Sequence, residues 1–561
     1  MAVLSGGEIM ARQLKIEGVE VVFNLPGDPM TAVQAALVKQ GTRLVNSRHE
    51  QANTLAAQAY AYALRKPGVA MAAGGPAVTN TLTGLVTAQA ACLPVMLIGG
   101  SGEMDKRFRG DFQEVPQLTM AAPACKWAVE INDPRQIPYY VHTGIQKMMN
   151  GRPGPIYLDL PSNVIDGRGG RADESEIEFY PANGEPVRPP ADQQSIRQAM
   201  QLISKAERPL LLIGKGVAWS DGAEEARQLV DHLQIPFVPS PMGKGTIPDD
   251  HPLNASSART YALQNADLVI LAGARFNWIF HFGAAPRFSP NVKVVQIDIE
   301  QSEIGNGRPI DVGVVGDAKV VLGQLLQEAG RQKRSIETPW LQALEAEKKK
   351  NAAAVEPMMN SDAAPMNMYR MYRTITEVID RDATITADGE NTMAISRSAL
   401  PNFLPRHRID AAESGCMGVS TPYAIGMQVA RPGKQVISMN GDYAFGWNGF
   451  EAETAVRNKL PIVFIVANNV SVGGPGRFEL GGSATAKSEG QPQGIRYDRI
   501  MQEFGGHGEF VETPAQLRPA LERSLKSGQA SLINVVINVE RGFRKQQTYS
   551  WMTSRTSRMQ Y

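Results

Sequence analysis

The sequence predicts an α/β protein of three doubly wound parallel-sheet domains, and three observations carry that prediction. Short apolar runs, glycine-containing turns and amphipathic helices alternate through three successive blocks, the rhythm of parallel strands covered by helices on both faces. A length of 561 residues suffices for three domains of about 170 residues each. A hydrophobic content of 43% beside 20% charged residues is that of an ordinary globular protein.

In the first block, residues 1–165, strands are expected at Val19–Phe23, Leu44–Asn46, Val69–Ala73, Val95–Ile98 and Ile156–Leu160. Helices at Gln51–Leu64 and Asn80–Ala91 lie between them. The polar run Asp166–Asp192, with five prolines and glycines after residue 180, reads as a linker. The second block, 190–345, opens with a helix at Ser195–Ala206 and a strand at Pro209–Ile213. Further strands are expected at Leu268–Leu271 and Val294–Ile297, followed by a charged helix and a polar, alanine-rich crossing at Lys348–Met366. The third block, 366–540, has strands at Ala383–Thr386, Gln435–Met439, Ile462–Val466 and Leu532–Ile537. Residues 541–561 then leave the sheet as a basic tail, and no internal repeat is visible.

Composition removes several classes of function. With 57 basic and 56 acidic residues the net charge is +1, so no nucleic-acid partner is expected. Cys92, Cys125 and Cys416 stand far apart, which argues against both a zinc site and a disulfide framework. The amino terminus carries no secretory signal pattern, and no apolar run approaches the ~18 residues of a membrane span. The carboxyl terminus is not a Ser-Lys-Leu address, which leaves the cytoplasm as the expected location.

The most informative pattern is Gly441-Asp442 followed, 27 positions after Asp442, by Asn469 in Asn468-Asn469. Each follows an apolar strand, and a helix at Asn448–Val456 fits between them. Both side chains therefore belong at the carboxyl ends of strands, where ligands bind in such sheets. A carboxylate oxygen, an amide oxygen and a backbone carbonyl are the hard ligands of Mg²⁺, which keeps places for phosphate oxygens and water. A Gly-Asp turn by itself is commonplace; its pairing with the asparagines is not.

This pairing resembles the thiamine-diphosphate enzymes, and the resemblance runs from end to end of the chain. It implies the thiamine-diphosphate-binding fold, with Asp442, Asn469 and the Ser471 backbone carbonyl on Mg²⁺. It places Asn391, Thr392, Gly441, Tyr443 and Ala444 at the diphosphate end of the cofactor, and Pro26, Gly27 and Asn80 around its ring end. Met417 matches the apolar residue that props thiamine in its bent form, although any methionine is more often plain core. Glu50, alone a good helix-start carboxylate, matches the glutamate that hydrogen-bonds the aminopyrimidine N1′ and so makes the cofactor its own base. In that family the site lies across two subunits, so a homodimer is the minimum, and homotetramers are common among relatives.

Within the family, three stretches resemble the 2-hydroxyacyl-CoA lyases. They are Gly110–Gln117 with Phe112-Gln113, the region from Phe504 to Ile537, and the tail with Trp551. A lyase would cleave a 2-hydroxyacyl-CoA reversibly to formyl-CoA and an aldehyde or ketone, through a thiamine ylide and a carbanion/enamine. The neutral amide of Gln113 suits a hydroxyl or carbonyl at that step. Oxalyl-CoA decarboxylase is the alternative reading, and an acetolactate-synthase-like transferase a more distant one. Lys215, Arg259, Arg275, Asp298 and Arg406 would hold the nucleotide end of the acyl-CoA or a related adenine nucleotide. The tail has five basic residues and no acidic one, so it is either a solvated basic end or a candidate lid over CoA phosphates. The chain departs from its relatives at Gly473, where a tyrosine is usual, and at Ala412-Glu413-Ser414 before the prop; both changes are expected to enlarge or polarise the acyl pocket.

Overall fold

The computed structural model describes residues 2–165, 170–330, 338–469 and 495–538. Two six-stranded sheets flank a five-stranded one, and all three are parallel throughout. The amino-terminal sheet runs Arg43–Asn46, Val21–Asn24, Gly68–Ala72, Val95–Ser101, Ile156–Pro161, Trp127–Glu130 across its width. The carboxyl-terminal sheet runs Arg408–Asp410, Thr384–Ala387, Val436–Gly441, Val463–Asn468, Ser531–Val536, His507–Val511. Ranked by their place in the chain, both sheets have the order 2-1-3-4-6-5. The middle sheet (Phe237–Pro239, Pro209–Ile213, Leu268–Ala272, Lys293–Asp298, Val312–Val315) begins with the same 2-1-3-4. The fold thus carries a repetition that the amino-acid sequence does not display.

That strand order decides where ligands can sit. Each sheet reverses direction of growth between its first and third strands, and the loops at their carboxyl ends diverge to leave a crevice. In the amino-terminal sheet those loops are Pro26-Gly27 and Gly74-Gly75; in the middle sheet they are Gly214-Lys215 and Gly273-Arg275. In the carboxyl-terminal sheet they are Asp388-Gly389 and Gly441-Asp442.

The amino-terminal and carboxyl-terminal domains share one apolar core, which includes Phe23, Leu55, Ala59, Tyr423, Val436 and Phe464. Its centre is the crossing of the helices Glu50–Leu64 and Ser420–Ala430. A Cβ at Gly426 would fall 2.1 Å from the Ala56 carbonyl oxygen, so the two backbones touch there. The Tyr423 hydroxyl donates to Gln58 Oε1 at 3.1 Å across the same crossing. Ala52 through Ala63 are all buried, which explains why this alanine-rich helix lacks an amphipathic stripe.

All the strands expected from the apolar runs are present, their ends shifted by at most three residues. The strands Trp127–Glu130, Phe237–Pro239, Val312–Val315, Arg408–Asp410 and His507–Val511 were not expected; all five form sheet margins, and all five are short. Three further expectations are corrected. Arg171–Asp173, inside the supposed linker, pairs antiparallel with Val3–Ser5. Within the second crossing, expected as a charged helix followed by the segment Lys348–Met366, the helix Pro339–Met359 extends past Lys348, because alanine and lysine sustain it. The helix expected at Asn448–Val456 is two, Asp442–Asn448 and Glu451–Arg457, broken at Gly449. A Cβ at Gly449 would lie 2.5 Å from the Phe445 carbonyl oxygen, so only glycine fits that break.

Candidate active site

At the carboxyl-terminal rim, the first strand ends in Asp388 and Gly389. Gly389 has φ +82° and caps the helix Glu390–Ala399, so Asn391 and Thr392 occupy its first turn. First-turn amides have no intrahelical acceptor, and the helix dipole favours an anion there. A Cβ on Gly389 would lie 3.0 Å from the Gly441 nitrogen, and one on Gly441 would lie 3.5 Å from Thr392 Oγ1. The two glycines thus leave a shallow cradle lined by backbone, open to an anion at the helix start. Buried Asp388 anchors it by accepting the amides of Gly389 (2.5 Å) and Val419 (2.7 Å). Burial raises its pKa to about 6.

Beside the cradle, Gly441 is in register with Ala467, which puts Asp442 and Asn469 just beyond the ends of adjacent strands. Asp442 is 6% exposed and starts its helix, and Asn469 is 9% exposed. Neighbouring Asn468 is turned into the sheet, donating to Asn534 Oδ1 and the Ile495 carbonyl. One carboxylate and one amide suit a hard divalent cation. Among the described residues no group of three His, Cys, Asp or Glu side chains forms an alternative metal site. Tyr443 is exposed and Ala444 buried; Met417, 36% exposed, stands in a loop between Gly415 (φ +61°) and Gly418 (φ +83°) and is not core.

At the amino-terminal rim, Glu50 begins its helix, with His49 as the cap, and accepts a 2.9 Å hydrogen bond from Asn80 Nδ2. Pro26 and Gly27 form the turn after the first strand; a Cβ on Gly27 would fall 2.7 Å from Ala73 Cβ. Gln113 adopts a left-handed conformation (φ +57°), and its carbonyl lies so near Gly75 that a Cβ there would approach it to 2.0 Å. Two anchors hold this loop. Half-buried Glu114 accepts the amides of Gly110 and Asp111, and buried Gln117 accepts the Gly75 amide at 2.8 Å. Gln117 donates in turn to Tyr157 and to Asp159, whose pKa burial raises. Phe112, beside Gln113, is 78% exposed.

The middle rim opens on a cavity between all three domains, where Lys215, Arg275 and Asp298 meet Arg65, Arg152 and Glu413. Burial lowers the Lys215 pKa to about 8, and its Nζ donates to the Cys92 carbonyl at 2.6 Å. Burial also raises Asp298 to about 6. Arg275 pairs with Glu413 at 2.7 Å. Arg259 and Arg406 are not in the cavity wall. Arg259 donates to the Ile279 carbonyl and lies over the Phe280 ring, while Arg406 donates to the Ala218 carbonyl and pairs with Asp221.

Three family profiles match the chain in the order of its sheets. They are the thiamine pyrophosphate enzyme N-terminal TPP binding domain (4–120), central domain (196–325) and C-terminal TPP binding domain (388–535). The chain belongs to the thiamine pyrophosphate enzymes. Within them it is 35% identical to human 2-hydroxyacyl-CoA lyase 1, over 98% of this chain and 97% of that protein. It is 34% identical to 2-hydroxyacyl-CoA lyase of Oryza sativa (95% and 96% covered) and 33% identical to oxalyl-CoA decarboxylase of Escherichia coli K12 (96% and 95%). The relatives place this thiamine pyrophosphate enzyme in the family of 2-hydroxyacyl-CoA lyases and oxalyl-CoA decarboxylases.

For this enzyme the sequence reading missed the residues that hold the site rather than line it: Asp388, Gln117, Asp159 and Glu451. Asp159 and Asp388 carry a weak signal, an acid within or at the end of an apolar strand; Gln117 and Glu451 stand in mixed sequence and carry none. The change at Glu413 was expected to polarise the acyl pocket; the structure turns its carboxylate to Arg275 in the middle cavity, where a cation is in reach. Ser471, Gly473 and the tail 541–561 lie outside the described residues. Among the described residues no helix is long and apolar enough to cross a membrane.

Proposed function

We propose that the enzyme is a thiamine-diphosphate- and Mg²⁺-dependent 2-hydroxyacyl-CoA lyase, cleaving its substrate reversibly to formyl-CoA and an aldehyde or ketone. Asp442, Asn469 and the Ser471 carbonyl hold the metal. Asn391, Thr392, Gly441, Tyr443 and Ala444 receive the diphosphate, and Pro26, Gly27 and Asn80 flank the ring. When bound, the cofactor supplies a nucleophilic carbon and a sink for the electron pair released by carbon–carbon cleavage. Glu50 holds the proton at N1′, with Asn80 fixing the carboxylate. Gln113 presents an uncharged amide to the substrate hydroxyl. Lys215, Arg275 and Asp298 bind the nucleotide end of the acyl-CoA, whose phosphates suit the arginine and lysine. The active unit is a homodimer at minimum, with a homotetramer as its expected assembly.

The observation that carries the lyase reading is Gln113, set at the Gly75 turn by its own left-handed backbone. Gln113→Ala is expected to lower kcat/KM for 2-hydroxyacyl-CoA about 10²-fold, the scale of losing one transition-state hydrogen bond. Parallel assays with 2-hydroxyisobutyryl-CoA, mandelyl-CoA and oxalyl-CoA test the function. Formyl-CoA with acetone or benzaldehyde establishes the lyase, whereas formyl-CoA from oxalyl-CoA alone makes the enzyme a decarboxylase. Separately, Glu413 competes with a phosphate for Arg275. Glu413→Gln is therefore expected to tighten CoA binding about fivefold by calorimetry, the scale of a partly exposed ion pair. Unchanged affinity would remove CoA phosphate from Arg275.

A further inference from the structure

The segment that delivers Glu50 to its position is held from the opposite domain. Glu451, on the short helix Glu451–Arg457, is 1% exposed. Its Oε1 accepts the backbone amides of Arg48 (2.9 Å) and His49 (3.0 Å), the two residues before Glu50. Its Oε2 accepts the Thr454 hydroxyl at 2.7 Å. Three further bonds join the same two segments. Arg48 Nε donates to Glu453 (2.6 Å), Arg457 Nη2 donates to the Asn46 carbonyl (2.7 Å), and Asn448 Nδ2 donates to Gln51 Oε1 (3.2 Å). The same Asn448 nitrogen donates to the Gly418 carbonyl, next to Met417, at 2.7 Å.

A buried carboxylate is costly unless its lone pairs are used, and here they are used on backbone amides rather than on a cation. Those amides precede the helix and have no acceptor within it. Fixing them fixes the backbone entering the helix at Glu50, and with it the direction of that side chain. A hydrophobic residue of the same size at position 451 would fill the space and leave both amides orphaned.

We propose that Glu451 is the positioning residue for Glu50: by clamping the Arg48 and His49 amides from the diphosphate-binding domain, it sets the reach of the Glu50 carboxylate. The inference rests on the reading that Glu50 serves the cofactor. Burial raises the Glu451 pKa to about 7, against the opposing influence of its hydrogen bonds and of Arg457. The charged or titratable groups facing it are Arg48, His49, Glu453 and Arg457. Glutamine at 451 keeps an oxygen for both amides and removes the titration; alanine removes both.

The test uses amide hydrogen exchange at Arg48 and His49 in the cofactor-free protein, with kcat and KM of the holoenzyme against pH. In Glu451→Ala the two amides should exchange at least about tenfold faster. Its kcat should fall about 10²-fold with the KM for acyl-CoA within about twofold, as expected when a reacting group is misplaced by about 1 Å. Glu451→Gln should keep the protection, recover most of kcat and lose a limb of the pH profile near neutrality. Protected amides or an unchanged kcat in the alanine variant would overturn the proposal. So would a glutamine variant as impaired as alanine. Should the alanine protein not fold, the glutamine variant and Thr454→Val decide the matter, the latter being expected to shift the same pH limb without exposing the amides. A Glu50→Gln enzyme that stays active would instead sink the cofactor reading, and the exchange data would stand apart from it.

Discussion

Glu50→Gln is expected to lower formyl-CoA release by 10²- to 10⁴-fold, the range for loss of a positioned acid–base group. The substitution is nearly isosteric, and a glutamine oxygen can still accept from Asn80, which donates at 2.9 Å in the native protein. Helix initiation should also survive, because His49 provides the cap by accepting the Gln51 amide through its ring nitrogen. Folding and cofactor affinity are therefore expected to stay near native values, and the defect should lie in kcat. Measuring thiamine diphosphate binding and turnover on one preparation separates these quantities. Turnover within tenfold of native would mean that another group holds the cofactor's proton.

Asp442→Ala is expected to weaken thiamine diphosphate binding about 100-fold or more, since loss of even an outer-shell metal partner costs 10- to 100-fold. Asp442 follows the end of the third strand, beside the glycine cradle and next to the strand that precedes Asn469. Without its carboxylate the diphosphate would keep the helix amides and lose the cation that neutralises it. The variant should fold, because the lost carboxylate contributes to its short helix about 0.3–1 kcal/mol of dipole interaction and a hydrogen bond from the Tyr443 amide, a modest share of the stability of a chain this size. Titrating the cofactor at fixed Mg²⁺ by quenching of protein fluorescence measures the change. Native affinity in the variant, or binding that ignores Mg²⁺, would remove Asp442 from the metal.

What the sequence made legible follows from burial. Central strands of parallel sheets are covered on both faces and read as continuous apolar runs, as at Pro209–Ile213 and Val463–Asn468. Marginal strands such as Arg408–Asp410 are three residues long and mix charge with apolar side chains, so no pattern marks them. The same division holds at the site. Asp442, Asn469 and Glu50 follow apolar runs at strand or helix ends and could be placed from their neighbours. Glu451 and Gln117 act through backbone amides of residues 403 and 42 positions away, and spacing of that kind is invisible without a fold. Arg259 and Arg406 show the converse: arginines near strand ends looked like phosphate ligands, yet neither lies in the wall of the cavity that holds Lys215 and Arg275.

The shared core has a mechanical consequence. Because Leu55, Tyr423 and Phe464 belong to one apolar cluster, the outer thirds of the chain form a single stiff body around the Glu50 helix. The middle third keeps apolar clusters of its own, with Leu211, Ile270 and Val295 in one and Leu212, Val269 and Phe288 in another. The middle third meets that body through the Lys215 bond to the Cys92 carbonyl and through Met242, which lies in the shared core, so substitutions within its own two clusters, away from these contacts, are expected to leave the frame that aims Glu50 in place. An ancestral enzyme could change the handle it grips while keeping the reaction it performs.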